Sequence, residues 1–214
     1  MSENEETRTP DPGNPRRPEG DAGAKMLDRM NESHYEMTGW ALAFLAIKPE
    51  DRLLDIGCGG GMTLSRIANQ ITEGHLDGID YSDISVKKSS ALNREWIRKG
   101  KMTVREGSVE ALPFGDETFD KIITVESFYF WPNPAENLKE VCRVLKKNGH
   151  FLLVAETYDN PAMSDREREN VAMYHLFNPT REKFVELFRN AGFGNIQVHT
   201  KSGREWICVD GTRL

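Results

Sequence analysis

Short apolar runs alternate with longer stretches in which apolar residues recur at helical spacing, and this alternation predicts a succession of βαβ units. Residues 52–56 (Arg-Leu-Leu-Asp-Ile) and 75–80 (His-Leu-Asp-Gly-Ile-Asp) have the compact apolar character of strands buried in a parallel sheet. Between them, residues 62–71 set Met62, Leu64, Ile67, Ala68 and Ile71 close to one helical stripe. Residues 84–99 predict a second helix through Val86, Ala91, Leu92 and Trp96, stopped at Gly100. Residues 102–106 predict a short strand, and residues 119–125 the clearest strand after the first. A helix over 133–147 with Leu138, Val141, Cys142 and Leu145 on one face leads through Asn148-Gly149 to a strand at 151–155. The polar stretch 156–166 reads as irregular chain, followed by a short helical segment at 171–177. Residues 179–190 predict a helix halted at Gly192, and residues 195–200 with 205–209 a closing β-hairpin.

Upstream of the first strand, Ser33 and Glu36 have the spacing of a capping box. Met37, Trp40, Ala41, Phe44 and Leu45 then form an apolar stripe that ends before Pro49. Residues 1–23 are rich in Pro, Gly and charge without apolar period, so the expectation is a disordered tail. The division expected is that tail, then one domain over 24–214: a helical cover (24–48), a ligand-binding core (49–155) and a substrate-side segment with the hairpin (156–214).

A chain of 214 residues can bury one substantial α/β core. No apolar run is long enough for a membrane span, and the three cysteines include no C-x-x-C pair, so neither a disulfide framework nor a metal site is indicated. The net charge of −6 argues against a nucleic-acid partner, and a reducing, cytoplasmic setting is the expectation.

The chemistry concentrates at Asp55-Ile56-Gly57-Cys58-Gly59-Gly60-Gly61, where a strand stops in a glycine turn and a helix begins. Such a turn lets a ligand touch main chain and the helix N-terminus offers unpaired N–H groups. A dinucleotide fingerprint would need a third glycine at Met62, so a nicotinamide-dependent oxidoreductase is the weaker alternative. The pattern Asp55-x-Gly57-x-Gly59-x-Gly61, followed about twenty residues later by Asp80 at a strand end, resembles the class I S-adenosylmethionine-dependent methyltransferases. The phrases GSVEALPF (107–114) and EVCRVLKKNGHFLLV (140–154) strengthen the resemblance, which is nearest to the ubiquinone and menaquinone biosynthesis methyltransferases.

That resemblance implies an α/β, Rossmann-like, doubly wound sheet of seven strands, mostly parallel with a C-terminal antiparallel hairpin and helices on both faces. It implies in-line methyl transfer from S-adenosylmethionine to a small-molecule acceptor, giving S-adenosylhomocysteine. Gly57 and Gly59 would approach the aminoacyl part, Asp55 and Cys58 belong to the same cofactor-binding set, Asp80 would hold the ribose, and Tyr81, Ser108 and Val109 the adenine. Ser108 stands where the family commonly has aspartate, so its bond to adenine would be weaker. Glu126 would face the methionine moiety. His34, Tyr35, Tyr129 and Trp131 are acceptor-side candidates, the last two from a run of four aromatics, Phe128 to Trp131, too dense for all to point inward. No catalytic base stands out among His34, Tyr35, Tyr129, Glu156, Tyr158, Tyr174 and His175. A module that binds the cofactor without turnover is the other alternative.

Overall fold

The computed structural model describes residues 14–214. In chain order the elements are α1 (Gly20–Ser33), α2 (Tyr35–Leu42), β1 (Arg52–Ile56), α3 (Met62–Ile67), β2 (His75–Asp80), α4 (Asp83–Leu92), α5 (Arg94–Arg98), β3 (Met102–Glu106) and β4 (Phe119–Val125). Then follow α6 (Pro134–Val144), β5 (Leu145–Ala155), α7 (Asp165–Met173), α8 (Arg181–Ala191), β6 (Phe193–Thr200) and β7 (Ile207–Arg213). The strands form one seven-stranded sheet in the order β3-β2-β1-β4-β5-β7-β6. The first five pair in parallel, while β7 runs antiparallel to both β5 and β6. This is the doubly wound, mostly parallel sheet with an antiparallel close that the sequence implies.

Both faces of the sheet are covered, which is why the strands read as unbroken apolar runs. Successive residues of β1 and β5 go to opposite sides. Leu54, Phe151 and Leu153 join a core with Leu138 and Val141 of α6 and Phe184 and Phe188 of α8. Leu53, Leu152 and Val154 join the other with Met37 and Ala41 of α2 and Leu64 and Ile67 of α3.

Several expectations differ from the structure. The chain is already helical from Gly20, inside the stretch expected to be disordered, because Gly23, Met26 and Leu27 bury one face of α1; residues 1–13 of that stretch lie outside the described residues. Ser33 is not a cap: α1 runs through it, its hydroxyl turns back to Met30 O, and His34 is the residue between α1 and α2. The helix expected over 84–99 breaks at Asn93 into α4 and α5, with Leu92 exposed. At that break Asn93 Nδ2 donates to both Gly61 O and Ser89 O. β5 begins at Leu145 rather than 151, and Asn148 (φ 62°) sits where the pairing with β4 slips. α7 starts at Asp165 under a reciprocal capping box of Ser164 and Glu167, within the segment read as irregular.

Candidate active site

The carboxyl ends of β1, β2 and β4 and the N-terminal helix α1 enclose a cavity of about 360 Å³. Its position outside the strand ends, beside the reversal of strand order between β1 and β4, is where open α/β sheets bind ligands. The glycine turn forms its floor. Gly57 and Cys58 both donate N–H to Ile79 O at 2.9 Å, which ties the turn to β2. Gly57 (φ 72°) leaves no room for a side chain, since a Cβ there would lie 2.4 Å from Ser127 Oγ. Gly61 (φ 82°) is held as tightly, its Cβ position 2.4 Å from Ser89 Oγ on α4.

Two carboxylates converge on this floor. Asp80 Oδ2 accepts the Gly59 N–H and Oδ1 the Ser82 N–H, each at 2.9 Å. Burial raises its pKa while those N–H groups pull it back down. Asp55 is 1% exposed, its Oδ2 has no hydrogen-bond partner, and burial, with a smaller push from Asp80, lifts its pKa to about 8. An orphaned buried carboxyl oxygen is rare and marks a place where a donor or cation belongs.

Cys58, Tyr81, Ser108 and Val109 also line the cavity. The Ser108 hydroxyl is already engaged, accepting from Glu110 N and donating to Glu110 Oε2 at 3.2 Å each. Glu110, Arg16, Leu27, Met30 and Asn31 line the cavity too and are absent from the sequence-based set. The sequence signal for α1 is the spacing of Gly23, Met26, Leu27 and Met30, which the adjoining Pro-rich composition masks.

Glu126 terminates β4 with φ 55°, a conformation few non-glycine residues adopt. Its Oε1 accepts the Tyr129 hydroxyl at 2.7 Å and the Glu156 N–H, and burial lifts its pKa to about 7. His34 Nε2 lies 3.8 Å from Glu126 Oε2 and 3.9 Å from Glu156 Oε2. Burial lowers the His34 pKa, and burial followed by the nearby Glu126 raises that of Glu156.

The other acceptor-side candidates separate. His34 and Trp131 border the cavity, whereas Tyr35 and Tyr129 are not among its lining residues. Tyr35 is 51% exposed, with the Arg66 guanidinium 3.8 Å from its ring centroid. Of the four aromatics, Phe128, Tyr129 and Trp131 are buried and Phe130 only partly so, in line with the expectation that not all point inward. A 3-10 turn over Phe128–Phe130 distributes these side chains instead of alternating them, and Trp131 Nε1 donates to Ser127 Oγ. Tyr158 packs against the core, and Tyr174 and His175 lie in exposed chain after α7.

Residues 54–153 match a family described as a methyltransferase domain. The chain is 30% identical over 167 residues to 2-methyl-6-phytyl-1,4-hydroquinone methyltransferase 2 of Oryza sativa subsp. japonica, covering 75% of this chain and 45% of that protein. It thus spans less than half the length of that relative. It is 26% identical over 210 residues to demethylmenaquinone methyltransferase of Alkalihalophilus pseudofirmus, covering 84% of this chain and 87% of that one. Among solved structures, a SAM dependent methyltransferase from Aquifex aeolicus superposes with a TM-score of 0.70 at 16% identity, covering 89% of this chain and 98% of that one. Haemonchus contortus phosphoethanolamine N-methyltransferase 2, in complex with S-adenosyl-L-methionine, superposes with a TM-score of 0.75 at 16% identity, covering 91% and 57%. At such identities the structures establish the fold alone. Residues 54–153 thus form a methyltransferase domain, and match, relatives and fold together are consistent with a class I S-adenosylmethionine-dependent methyltransferase.

Proposed function

We propose that the chain transfers a methyl group from S-adenosylmethionine to a small-molecule acceptor. The observation that carries this reading is the orphaned Asp55 Oδ2, buried beside Asp80 on a glycine floor. A cationic group satisfies the first carboxylate, and the lone pairs left on the second suit a vicinal diol. The residues present therefore fit the cofactor. Gly57, Cys58 and Gly59 would pass along its aminoacyl part, Asp80 would hold the ribose, and Tyr81, Ser108 and Val109 would border the adenine. When bound, the cofactor supplies an electrophilic methyl carbon. The chain's share is to align the acceptor in line with it and to keep water out.

The acceptor wall supports a small apolar partner: Leu27, Met30, Val125, Phe130 and Trp131 line it. The names of the relatives, one a hydroquinone and one a demethylmenaquinone methyltransferase, point the same way. The net charge of −6 favours such a molecule over nucleic acid. No helix among the described residues is long and apolar enough to cross a membrane, and the three free thiols suit a reducing, cytoplasmic setting.

Calorimetric titration with S-adenosylmethionine, S-adenosylhomocysteine and NAD tests the cofactor. Micromolar binding of the first two and none of the third is expected, and binding of NAD alone overturns the reading. Transfer of labelled methyl to demethylmenaquinol or 2-methyl-6-phytyl-1,4-hydroquinone tests turnover.

A further inference from the structure

The Glu126 side chain is only 12% exposed, yet just one of its oxygens is satisfied. Oε1 accepts the Tyr129 hydroxyl and the Glu156 N–H, which leaves Oε2 turned toward His34. Among the described residues nothing donates to Oε2, and no lysine or arginine lies within 4 Å of it. Three separate elements meet at this oxygen: His34 from the α1–α2 junction, Glu126 from just past β4 and Glu156 from just past β5. His34 Nε2 stands 3.8 Å from Glu126 Oε2 and 3.9 Å from Glu156 Oε2, and one ligand atom of each residue lies within 4.8 Å of the others. Thr157, next in the chain, adds a buried Oγ1 that has no hydrogen-bond partner.

We propose that His34, Glu126 and Glu156 bind a divalent first-row transition-metal ion. Two carboxylates facing one another with no cation between them is an arrangement that burial penalises, and buried charge is ordinarily paired or bound to a metal. The separations decide what fits. At 3.8 and 3.9 Å they exceed hydrogen-bond length. Donor atoms 2.0–2.1 Å from a tetrahedral ion lie about 3.4 Å apart, so these need to draw in by roughly half an ångström. The Glu156 side chain, 61% exposed, is free to make that adjustment, whereas Glu126 is held in place from behind.

One imidazole nitrogen and two carboxylate oxygens suit zinc, manganese or iron better than magnesium or calcium, which favour oxygen throughout. Tyr129 then serves as the outer partner that fixes the orientation of a ligating carboxylate. Three protein ligands leave coordination positions open, and because His34 and Glu126 both line the cavity, the ion borders the same space as Val125, Phe130 and Trp131. No cysteine takes part and the three residues lie far apart in the chain, so cysteine spacing, which indicates no metal site, is blind to this one. A proton on Glu126 is the other way to relieve its burial, and it predicts no metal affinity.

The test titrates Mn2+ into the full chain, freed of metal by chelation and with no cofactor or acceptor added, and follows free Mn2+ by its paramagnetic resonance. One ion per chain at micromolar Kd is expected, displaced by Zn2+ and hardly by equimolar Mg2+. His34→Gln and Glu126→Gln each weaken binding at least about tenfold, and Tyr129→Phe, which removes only the hydroxyl behind the ligand, about ten- to a hundredfold. Glu73→Gln, at an exposed carboxylate elsewhere, leaves affinity unchanged. In wild type with Mn2+ bound, electron spin-echo modulation shows coupling to an imidazole nitrogen, a readout that needs no variant to fold. Affinity no tighter than millimolar for both Mn2+ and Zn2+, absence of the nitrogen coupling, or affinity undiminished in His34→Gln and Glu126→Gln overturns the proposal. Because no cofactor is present, the outcome is independent of the methyl-transfer reading, which the binding of S-adenosylhomocysteine tests by itself.

Discussion

Asp80 Oδ2 accepts the backbone N–H of Gly59 at 2.9 Å, so the carboxylate at the end of β2 is locked to the glycine turn after β1. With Oδ1 on the Ser82 N–H, one side chain fixes both loops that frame the cavity and keeps its other lone pairs for a ligand. Asp80→Ala removes the loop tie and, on the proposed reading, the diol acceptor with it. Its affinity for S-adenosylmethionine should fall at least about a hundredfold, while Asp80→Asn, which keeps one acceptor oxygen, should lose about tenfold. Calorimetry reads both, and unchanged affinity in Asp80→Ala dismisses the assignment.

Cofactor binding should release a proton. Asp55 titrates at about 8 in the free protein and is mostly protonated at pH 7. A cation brought to its orphaned oxygen favours the carboxylate and lowers that pKa. Titrations at pH 7 in buffers of different ionisation enthalpy should show release approaching one proton per cofactor, falling toward zero above about pH 9 and in Asp55→Asn. Proton uptake would contradict the placement.

Gly57→Ala combines a left-handed backbone with a Cβ driven to 2.4 Å from Ser127 Oγ. Strain of this kind costs about 1–3 kcal/mol, equivalent to a fall in Tm of roughly 2–12 °C for a domain of this size. Thermal unfolding of the ligand-free chain checks this, and a Tm equal to wild type shows that the turn can relax.

Trp131 and Tyr35 should behave oppositely. Trp131 is 7% exposed and packed against Phe128 and Phe151, so Trp131→Ala should cost about 3–5 kcal/mol of stability, measured by denaturant unfolding. Tyr35 lies at the surface outside the cavity, so Tyr35→Ala should leave cofactor affinity within about twofold. A larger loss on Tyr35→Ala would restore it to the site.

The core was legible because chemistry and local geometry coincide there. A glycine turn that needs left-handed backbone, and an acid at the next strand end, leave marks that a reader of residues can see, as at Gly57, Gly61 and Asp80. What stayed hidden depends on long-range packing. Which rings of the Phe128–Trp131 run are core could not be read from the run, because nothing local shows that α8 brings Phe184 against Phe128. The break at Asn93 follows from its side-chain bond to Gly61 O, 32 positions away. The meeting of His34, Glu126 and Glu156 requires three elements to be folded before it exists. At Ser33 the local signal was present and misleading, since α1 enters from a stretch whose composition masked it.

β7 lies between β5 and β6, although it is the last of the seven strands in chain order. During synthesis, β5 therefore emerges with one edge bare and β6 emerges before the strand that will bridge the two. Until residues 207–213 leave the ribosome, the facing edges of β5 and β6 carry unpaired backbone N–H and C=O groups. Vectorial folding of the sheet thus waits on β7, and chaperone dependence should track how long those edges stay bare.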